Sequence, residues 1–495
     1  MKKIKIYGVL LMAAMALGFQ GCSDSDKSAI DWGEPRLTVT GMDTVKIESL
    51  YFTGSATTKM VGINTNKDWE VVSSDTSWLK VAPRAGYGYA YETRMSWTQI
   101  SVLKNTGESR TGTITVKAGN MEQTVAVTQM GSDASDTFLK ADEFIKKVKI
   151  GYNLGNTLES NHDITSPSVQ SWFNPKTVYD WETCWGQTQT TQEIINAIAE
   201  KGFNLIRVPV TWFPHMDADG NVNADWMKRV QEVVDYVLNA GCYCIINVHH
   251  DASDPTTGRG DGGNWLVADI DQYAEDSPRF KKLWTQIANH FQNYDDRLLF
   301  EGVNEIIDET GNWGDPAKSS AYECVNKLQQ DFVDVVRATG GNNTYRNLVI
   351  NPYSAGHSPA KLAGYQVPVD QVNGHLLASV HSYDPYNFCN NNGQWNVDAF
   401  DSSGEKEVDD IFARVDKRFR QDLDIPYFFG EFGALDENKL MSERVKYAAY
   451  MRKKFDAYGT MGLWWMGLYS RSTDAKSKSI FLTWYEEEIA DALLK

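Results

Sequence analysis

The chain has 495 residues, 42% of them hydrophobic and 12% aromatic, so its length and composition allow two or three domains with large cores. Acidic residues outnumber basic ones by 65 to 48, for a formal net charge of −17. Nucleic-acid and anionic-surface binders need a basic footprint, so this charge argues against both classes and is compatible with a neutral or cationic ligand.

The N-terminus, residues 1–21, has the pattern of a targeting segment. Lys2, Lys3 and Lys5 precede the apolar run "GVLLMAAMALGF", which is too short to span a bilayer. The run ends in "FQGC", and the acidic tract "SDSDK" follows Cys22. This pattern resembles a bacterial lipoprotein signal of the Bacteroidetes surface-export type. The resemblance implies lipidation of Cys22 and an outward-facing anchor in the outer membrane; simple secretion with an incidental cysteine is the alternative.

After a tether over residues 22–34, residues 35–131 predict an all-β sandwich. Runs such as "RLTVTG", "WEVVSS" and "TGTITVKAG" alternate Val, Thr and Ile with polar residues, with Gly or Asn between them. The pair Trp69 and Trp78, "SRTGTITV" and the closing "VAVTQMG" resemble a BACON domain, a module found beside Bacteroidetes carbohydrate enzymes. We expect both tryptophans to be core residues rather than a sugar platform. The segment groups no catalytic residue types, so it is either a spacer or a glycan-binding module.

Residues 132–139 have the composition of a linker, and from 140 to 495 strands alternate with amphipathic helices. The strand candidates are "KIGYNLGN", "NLIRVPV", "CYCIINVHH", "LLFEGVNEI", "NLVINPY", "LLASVHSY", "IPYFFGEFG" and "MGLWWMG". Between them, segments such as "WMKRVQEVVDYVLNAG" carry apolar residues at helical spacing. Eight strands, most followed by a helix, predict the α/β class and a (β/α)₈ TIM barrel. A doubly wound open sheet is the alternative, because no clear helix separates the fifth and sixth strands.

Polar residues gather at the predicted carboxyl ends of these strands, where barrels of this type hold their active sites. They are Asn156, Arg207, His249, His250, Asn304, Glu305, His381, Tyr383, Glu431 and Trp465. Each alone has a structural explanation, such as an ion pair or a strand-end cap, but the coincidence over seven strands favours a site. Two glutamates on different strands suit glycoside hydrolysis, which needs two carboxylates with different roles. A carboxylate near Arg207 and Tyr383 should stay ionised, and one beside Asn304 and His381 should keep its proton.

The stretch "FEGVNEIID" is predicted to be a strand with two acids. Alternation would place Glu301, Val303 and Glu305 on one face. A charge inside a strand is costly unless it is paired or used. Only Glu305 stands where a barrel keeps its chemistry, so we expect Glu301 to be a paired structural acid lower in the barrel.

The motifs "LIRVPV", "VHHD", "GVNEI", "VHSYDPY", "GEFG" and "LWWMG", in this order, resemble glycoside hydrolase family five over residues 140–495. "GYNLGNTLE" and "WETCWGQTQTT" resemble its endoglucanase and xyloglucanase subfamily, within a clan of retaining enzymes. The resemblance implies that Glu305 is the general acid/base, that Glu431 is the nucleophile and that Asn304 holds the sugar 2-hydroxyl.

The same resemblance implies roles for the residues around the two glutamates. Arg207 and Tyr383 would support the nucleophile, His249 and His381 would serve proton transfer and substrate hydroxyls, and Trp465 would stack beneath the sugar at the cleavage point. Positions matching those that bind the non-reducing side are Asn156, Glu159 and His250. Trp185 lies in one of the subfamily motifs and could stack on a sugar. Other loop aromatics could form the same platform or be buried packing: Trp172, Phe173, Trp181, Trp265, Tyr386 and Trp395.

No metal or other cofactor is expected. "VHHD" lacks a third ligand at useful spacing, and family five needs no metal. Five cysteines remain besides Cys22, without metal-ligand spacing, and we expect no disulfide framework among them. "GRGDGG", residues 258–263, lacks the Lys and following helix of a phosphate loop, and is expected to be a cleft-edge loop.

The sequence therefore predicts a monomeric, lipid-anchored, retaining endo-β-1,4-glucanase at the cell surface. It would hydrolyse internal bonds of a β-glucan, with xyloglucan as a candidate substrate. An endo-β-mannanase or a mixed-linkage glucanase of the same fold is the alternative within the enzyme class. The alternative outside it, a non-catalytic surface glycan-binding protein, would have lost Glu305, Glu431 or the residues that tune them.

Overall fold

The computed structural model describes residues 32–495 except 42–45, 53, 55–56, 92–93, 106, 132–137, 165, 253–264, 312, 391–392, 436–438, 466, 474–479 and 485, and it does not describe the side chains of 57, 470–473 and 480–482. The predicted lipoprotein signal with Cys22 and the loop 258–263 lie outside the described residues. Within the described part, none of the helices has the length and hydrophobicity needed to cross a membrane.

The N-terminal domain is a β-sandwich. Its described strands are β1 (Leu37–Thr40), β2 (Ser49–Phe52), β3 (Thr57–Thr65), β4 (Trp69–Ser73), β5 (Leu79–Ala82), β6 (Ala85–Gly86), β7 (Ser96–Val102), β8 (Arg110–Ala118) and β9 (Met121–Gln129). They form two sheets, ordered β1-β3-β7-β5 and β2-β9-β8-β4-β6, whose inner faces share one apolar core. Trp69 and Trp78 are buried in that core, which confirms the prediction that they pack rather than bind sugar.

The second domain is a closed barrel of eight parallel strands within the described residues. They are β10 (Gly151–Asn153), β11 (Leu205–Val208), β12 (Tyr243–Asn247), β13 (Leu298–Glu301), β14 (Leu348–Ile350), β15 (Leu376–Ser382), β16 (Tyr427–Phe432) and β17 (Gly462–Trp465). The last strand, β17, pairs with the first, β10, so the sheet has closed. The TIM barrel prediction is confirmed, and the open-sheet alternative is wrong. A hairpin follows, made of β18 (Tyr469–Thr473) and β19 (Ile480–Trp484).

Helices surround the barrel. Those described are α1 (Ala141–Lys147), α2 (Pro167–Gln170), α3 (Val178–Glu182), α4 (Gln192–Lys201), α5 (Ala224–Asn239), α6 (Tyr273–His290), α7 (Ser320–Ala338), α8 (Pro359–Gly364), α9 (Tyr386–Cys389), α10 (Ser402–Asp416), α11 (Met441–Tyr458) and α12 (Glu487–Leu494). A π-helical turn, Lys417–Asp422, extends α10, and short 3₁₀ turns cover Phe213–His215, His250–Ala252, Gly341–Thr344 and Tyr353–Ala355. The connection between the fifth and sixth barrel strands, where the sequence shows no clear helix, contains the 3₁₀ turn Tyr353–Ala355 and the six-residue α8.

The interior of the barrel changes from apolar to polar along its axis. Near α1, which closes the amino-terminal end, the inward side chains are apolar: Leu205, Ile245, Leu299, Val349, Leu377, Phe428 and Leu463. Two residues further along each strand, alternation brings the next inward side chain. At five of these positions it is polar and buried: Arg207, Asn247, Glu301, Asn351 and Ser379. The polar layer therefore lies at the carboxyl ends of the strands.

Strand β16 contains one residue more than its neighbours. Val380 of β15 pairs with Phe429, but His381 pairs with Glu431, so Gly430 is the extra residue. The register with β17 shifts in the same stretch. A β-bulge of this kind reverses the alternation beyond it. Glu431 consequently faces the barrel interior, whereas strict alternation from Phe428 would have turned it towards the helices.

Candidate active site

Arg207 is the centre of the polar layer at the carboxyl ends of the strands. Its buried guanidinium donates four hydrogen bonds: Nε to Glu301 Oε2 at 2.6 Å, Nη1 to Glu431 Oε1 at 2.8 Å and to Asn153 Oδ1 at 2.9 Å, and Nη2 to Asn304 Oδ1 at 2.8 Å. Burial opposes the charge of Arg207, but the charges of Glu301 and Glu431 outweigh it and raise the pKa of the guanidinium. Arg207 thus holds the buried acid Glu301 and the nucleophile candidate Glu431 in a fixed geometry.

Three asparagines that sequence reasoning did not single out complete this layer. Asn153 donates to the Gly430 carbonyl at 3.0 Å, Asn247 donates to Glu301 Oε2 at 3.2 Å, and Asn351 donates to Glu301 Oε1 at 2.9 Å. A buried amide that bridges strands satisfies polar groups that water cannot reach. Their position in the sequence was the available signal, because each lies near the carboxyl end of a predicted strand.

Glu301 is a paired structural acid, as predicted, and its partners are now identified. Both carboxylate oxygens are bonded, to Arg207 and to the amides of Asn247 and Asn351. The predicted strand geometry, however, is wrong. Strand β13 ends at Glu301, and Val303 packs in the cluster between strands and helices rather than on the face of Glu301. Beyond the strand, backbone bonds such as Asn304 N–H to the Val248 carbonyl at 2.9 Å turn the chain.

Glu431 is bonded through both carboxylate oxygens. Arg207 donates to Oε1, and the Tyr383 hydroxyl donates to Oε2 at 2.8 Å. Burial raises the pKa of Glu431, while His381 in its protonated form, the charge of Arg207 and the hydrogen bond from Tyr383 oppose this rise. The predicted support of the nucleophile candidate by Arg207 and Tyr383 is therefore present in the structure.

Glu305 lies beyond the end of β13 and faces Glu431. Its Oε1 is 2.5 Å from His381 Nδ1, which is also 3.6 Å from Glu431 Oε1. Burial raises the pKa of Glu305 to about 7, against the lowering effect of the charges of Arg207 and Lys361. A carboxyl with such a pKa can hold a proton near neutral pH and donate it.

Asn304 does not support Glu305, which corrects one detail of the prediction. Its side-chain oxygen accepts from Arg207, and its side-chain nitrogen donates to none of the described residues. Because an amide nitrogen is a double donor, this group can bond a sugar hydroxyl next to Glu305. The position is compatible with the 2-hydroxyl contact that the resemblance implies.

One wall of the site is formed by two histidines and two tryptophans. The ring of His249 stacks on Trp465 at 5.9 Å between centroids, and His250 lies 5.3 Å from the ring of Trp185. Asn247 donates to His249 Nδ1 at 3.0 Å, so the proton of the neutral ring is on Nε2. Burial lowers the pKa of His249, and the nearby charges of His250, Arg207 and His381 lower it further.

Asn156 and Glu159 form a buried turn after β10. Asn156 has a left-handed backbone with φ of 59°, and its N–H donates to Glu159. The Thr157 N–H donates to the second carboxylate oxygen of Glu159 at 3.0 Å. Burial raises the pKa of this carboxyl to about 7, opposed by these backbone donors. Glu159 is thus fully buried and bonded to backbone, and the structure brings it near the site without exposing it to a ligand.

The loop aromatics divide into exposed and packed residues. Trp172, Tyr386 and Trp395 are exposed, with 64%, 55% and 69% of their surface accessible, as a platform requires. Trp181 is buried. Trp265 donates to Asp251 at 2.9 Å and carries the guanidinium of Arg279 over its ring, so it is held by packing.

A carboxylate oxygen of Glu305, a ring nitrogen of His381 and a carboxylate oxygen of Glu431 all lie within 4.8 Å of one another. Retaining glycoside hydrolases separate their two carboxyl groups by about 5 to 5.5 Å, whereas inverting ones leave about 6.5 to 9.5 Å for a water. A TIM barrel with such a pair at the carboxyl ends of its strands has the arrangement of a retaining glycoside hydrolase.

Comparison with protein families agrees with this geometry. Residues 168–467 match the model for cellulase (glycosyl hydrolase family 5), and residues 68–130 match the model of the N-terminal BACON domain. The chain belongs to glycosyl hydrolase family 5.

Known relatives resemble the chain over the barrel or over most of its length. The xyloglucan-specific endo-β-1,4-glucanase of Bacteroides ovatus is 27% identical over 98% of this chain and 92% of its own length. Endoglucanase A of Clostridium longisporum is 32% identical over 72% of the chain, which spans 65% of that relative. A solved mutant of the Prevotella bryantii family 5 enzyme, in complex with the xyloglucan tetradecasaccharide XXXGXXXG, is 38% identical with a TM-score of 0.62, over 72% of this chain and 98% of its own.

Proposed function

We propose that the protein is a retaining endo-β-1,4-glucanase that cleaves internal bonds of a β-glucan. The observation that carries the proposal is the short separation of the Glu305 and Glu431 carboxylates, each with a distinct set of partners. Family membership supports the reaction class, and the relatives described as endoglucanases and xyloglucanase support the substrate class.

In the first half of the reaction Glu431 attacks the anomeric carbon, and Glu305 gives its proton to the departing glycosidic oxygen. The attacking oxygen loses negative charge as the bond forms. Arg207 and Tyr383 hold the carboxylate in place for this step, so little reorganisation is needed. Asn304 presents its amide nitrogen to the sugar hydroxyl beside the cleavage point.

In the second half a water replaces the leaving group. Glu305, now ionised, takes a proton from this water, which attacks the anomeric carbon and releases Glu431. The attack comes from the face that the leaving group occupied, so the configuration at the anomeric carbon is retained overall. His381 stays beside both carboxylates throughout, at 2.5 Å from Glu305 and 3.6 Å from Glu431.

Xyloglucan is our candidate for the preferred polysaccharide. The Bacteroides ovatus relative, which aligns with 98% of the chain, is described as xyloglucan-specific, and a mutant of the Prevotella bryantii relative was solved with a xyloglucan oligosaccharide. A related structure is described as an endo-β-mannanase/endo-β-glucanase, so mannan-type substrates belong in the test.

Reducing-end assays on soluble xyloglucan, mixed-linkage β-glucan, carboxymethyl cellulose and glucomannan test the substrate class. We expect the fastest release of new ends from xyloglucan and mid-sized oligosaccharides as early products. Activity on glucomannan alone would make the enzyme a mannanase and contradict the proposal. Proton NMR of the first product separates the mechanisms, because a retaining enzyme releases the β-anomer first.

A non-catalytic glycan-binding role would require the loss of Glu305, Glu431 or the residues that tune them, and all are present.

We further propose that the protein is a monomer held outward on the outer membrane by a lipid on Cys22. Labelling with a fatty acid should modify the full chain and leave the Cys22→Ala variant unlabelled and released from the cell surface. Equal labelling of both forms would contradict the anchor.

A further inference from the structure

His381 has a buried ring nitrogen that the catalytic geometry does not use. Its Nδ1 bonds Glu305, but its Nε2 has no hydrogen-bond partner among the residues that the structure describes. Ser379, two residues earlier on β15, is fully buried, and its hydroxyl likewise lacks a partner within the described chain. Unpaired buried polar atoms are costly and rare, so two on one face of one strand require an explanation.

Both atoms lie close to the same point beside the Gly430 backbone. A methyl group on Gly430 would lie 2.3 Å from Ser379 Oγ and 3.0 Å from His381 Nε2. Gly430 is the extra residue of the bulge in β16, and its lack of a side chain lets both atoms approach its backbone this closely. A hydroxyl and a ring nitrogen that close to one point can bond directly after a rotation of the serine side chain, or through one water.

We propose that Ser379 is a positioning residue for the general acid. Its hydroxyl donates to His381 Nε2, directly or through one water, and so keeps the ring proton of His381 on Nδ1, facing Glu305. This inference rests on the role proposed for Glu305 above.

The tautomer of His381 decides where Glu305 carries its proton. When Nδ1 is protonated it donates to Oε1 of Glu305, and the acidic proton of Glu305 sits on the other oxygen, free for the glycosidic oxygen. When Nδ1 is unprotonated it accepts, and it holds the Glu305 proton in the bond between them. Burial lowers the pKa of His381 against the raising effect of Glu431, which favours the neutral ring, and the neutral ring carries one proton on either Nδ1 or Nε2.

The test uses Ser379→Ala with aryl β-cellobiosides of graded leaving-group pKa and with xyloglucan. A dinitrophenolate leaves without protonation, whereas a sugar alkoxide needs the proton of Glu305. We expect kcat/KM to fall about tenfold for xyloglucan and for poor leaving groups, a part of the 10²- to 10⁴-fold that acid catalysis contributes. The rate on the dinitrophenyl substrate should stay within about twofold of wild type, because that step needs no proton transfer.

Two variants act as controls. Ser277→Ala removes another buried hydroxyl, on α6, which donates to Asp331 of α7 at 2.6 Å; this variant should leave the leaving-group dependence unchanged. Ser379→Thr keeps a hydroxyl and should restore part of the rate on xyloglucan. An equal loss on all substrates, or no loss on any, would overturn the proposal, because a packing residue does not discriminate between leaving groups.

Nitrogen-15 NMR of the histidine rings gives a readout independent of turnover. We expect the proton of His381 on Nδ1 in the wild-type protein and a mixture of tautomers in Ser379→Ala; identical spectra would overturn the proposal. If the wild-type protein cleaves none of the glycosides, the proposed function fails. If it cleaves them and Ser379→Ala behaves like wild type, only this inference fails.

Discussion

Glu301 accepts a hydrogen bond of 2.6 Å from Nε of Arg207, in a layer where neither side chain is accessible to solvent. The same guanidinium holds the nucleophile candidate Glu431 at 2.8 Å. One cation therefore connects Glu301, a buried acid of the polar layer, with Glu431, the nucleophile candidate. Removing Glu301 should therefore disturb both the stability of the fold and the position of Glu431.

Glu301→Ala should lower the free energy of unfolding by about 3 kcal/mol or more, because breaking a buried ion pair leaves charged and polar partners unsatisfied. The turnover number should also fall, since Arg207 would lose one of the contacts that orient it. Urea denaturation and steady-state kinetics measure both. The matched control is Asp410→Ala, which breaks the exposed pair of Asp410 with Lys406 and should cost less than about 1 kcal/mol. Equal stability of the two variants would contradict the prediction.

Glu431→Ala and Glu305→Gln should both abolish measurable turnover of polysaccharide while glycan binding persists. Glu431→Ala removes the group that forms the covalent intermediate, and Glu305→Gln removes the ionisable proton at nearly constant shape. Affinity electrophoresis in xyloglucan gels checks the binding, and reducing-end assays check the turnover. Glu309→Gln, in the exposed pair with Lys318, is the control and should keep wild-type activity. Full activity of either catalytic variant would refute the assignment.

The alkaline limb of the pH–activity profile should report the ionisation of Glu305, whose pKa burial raises to about 7. Activity that needs the protonated acid is present below this pKa and is lost as the pH rises through it. Lys361→Met removes a positive charge that favours ionisation of Glu305, so the limb should move to higher pH.

The control for this prediction is Ser354→Ala. Lys361 Nζ donates to Ser354 Oγ and to the Trp313 carbonyl, each at 2.7 Å, so this variant removes a hydrogen bond of the lysine and keeps its charge. Its alkaline limb should stay in place. A shift to lower pH in Lys361→Met would show that the lysine acts on Glu305 otherwise than through its charge.

The stability of the protein should also depend on the ionisation of Glu305. Its folded-state pKa of about 7 exceeds the ordinary value of 4.5, so between these pH values the folded chain binds more protons than the unfolded one. The free energy of unfolding from this group therefore falls as the pH rises through that window. Glu305→Gln should gain stability relative to wild type between pH 5 and 8, as thermal unfolding at several pH values would reveal. A constant difference would mean that burial does not raise this pKa.

Trp395→Ala should raise KM for polysaccharide about fivefold with little change in stability, because this ring is 69% exposed and is accessible for stacking on a sugar. Trp265→Ala is the packed counterpart. Its loss should lower the free energy of unfolding by about 3 kcal/mol, since its ring lies under Arg279 and its indole nitrogen bonds Asp251. The opposite pattern would reverse the division between exposed and packed aromatics.

The barrel and its two carboxylates are predictable from sequence because they depend on local patterns. Alternating strands and helices determine the fold, and the motifs around Glu305 and Glu431 place each glutamate at the end of a strand. The partner of Glu301 is not local: Arg207 stands 94 positions earlier in the chain and meets it only when the sheet closes. The asparagines of the polar layer were missed because an asparagine at a strand end equally indicates a turn.

The placement of Glu305 and the register of β16 could not be predicted from sequence, because both depend on departures from regular strand geometry. Glu305 was placed on the face of Glu301 by strand alternation, but the chain leaves the strand after Glu301, so period-two counting stops there. The bulge in β16 has no signature beyond a glycine before a glutamate. Its effect on register became visible only in the pairing with β15 and β17.

The bulge also limits how this strand can be engineered. A chimera could take β16 from a protein without the extra residue, or could lose Gly430 to an alignment gap. Either sequence would still contain every candidate catalytic residue. Without Gly430, Glu431 would follow Phe429 directly and would still face the barrel interior, but the local bend that the bulge gives β16 would be lost, and with it the placement of Glu431 against Arg207 and Tyr383. Crossover points in this barrel should therefore keep residues 429–432 from a single parent.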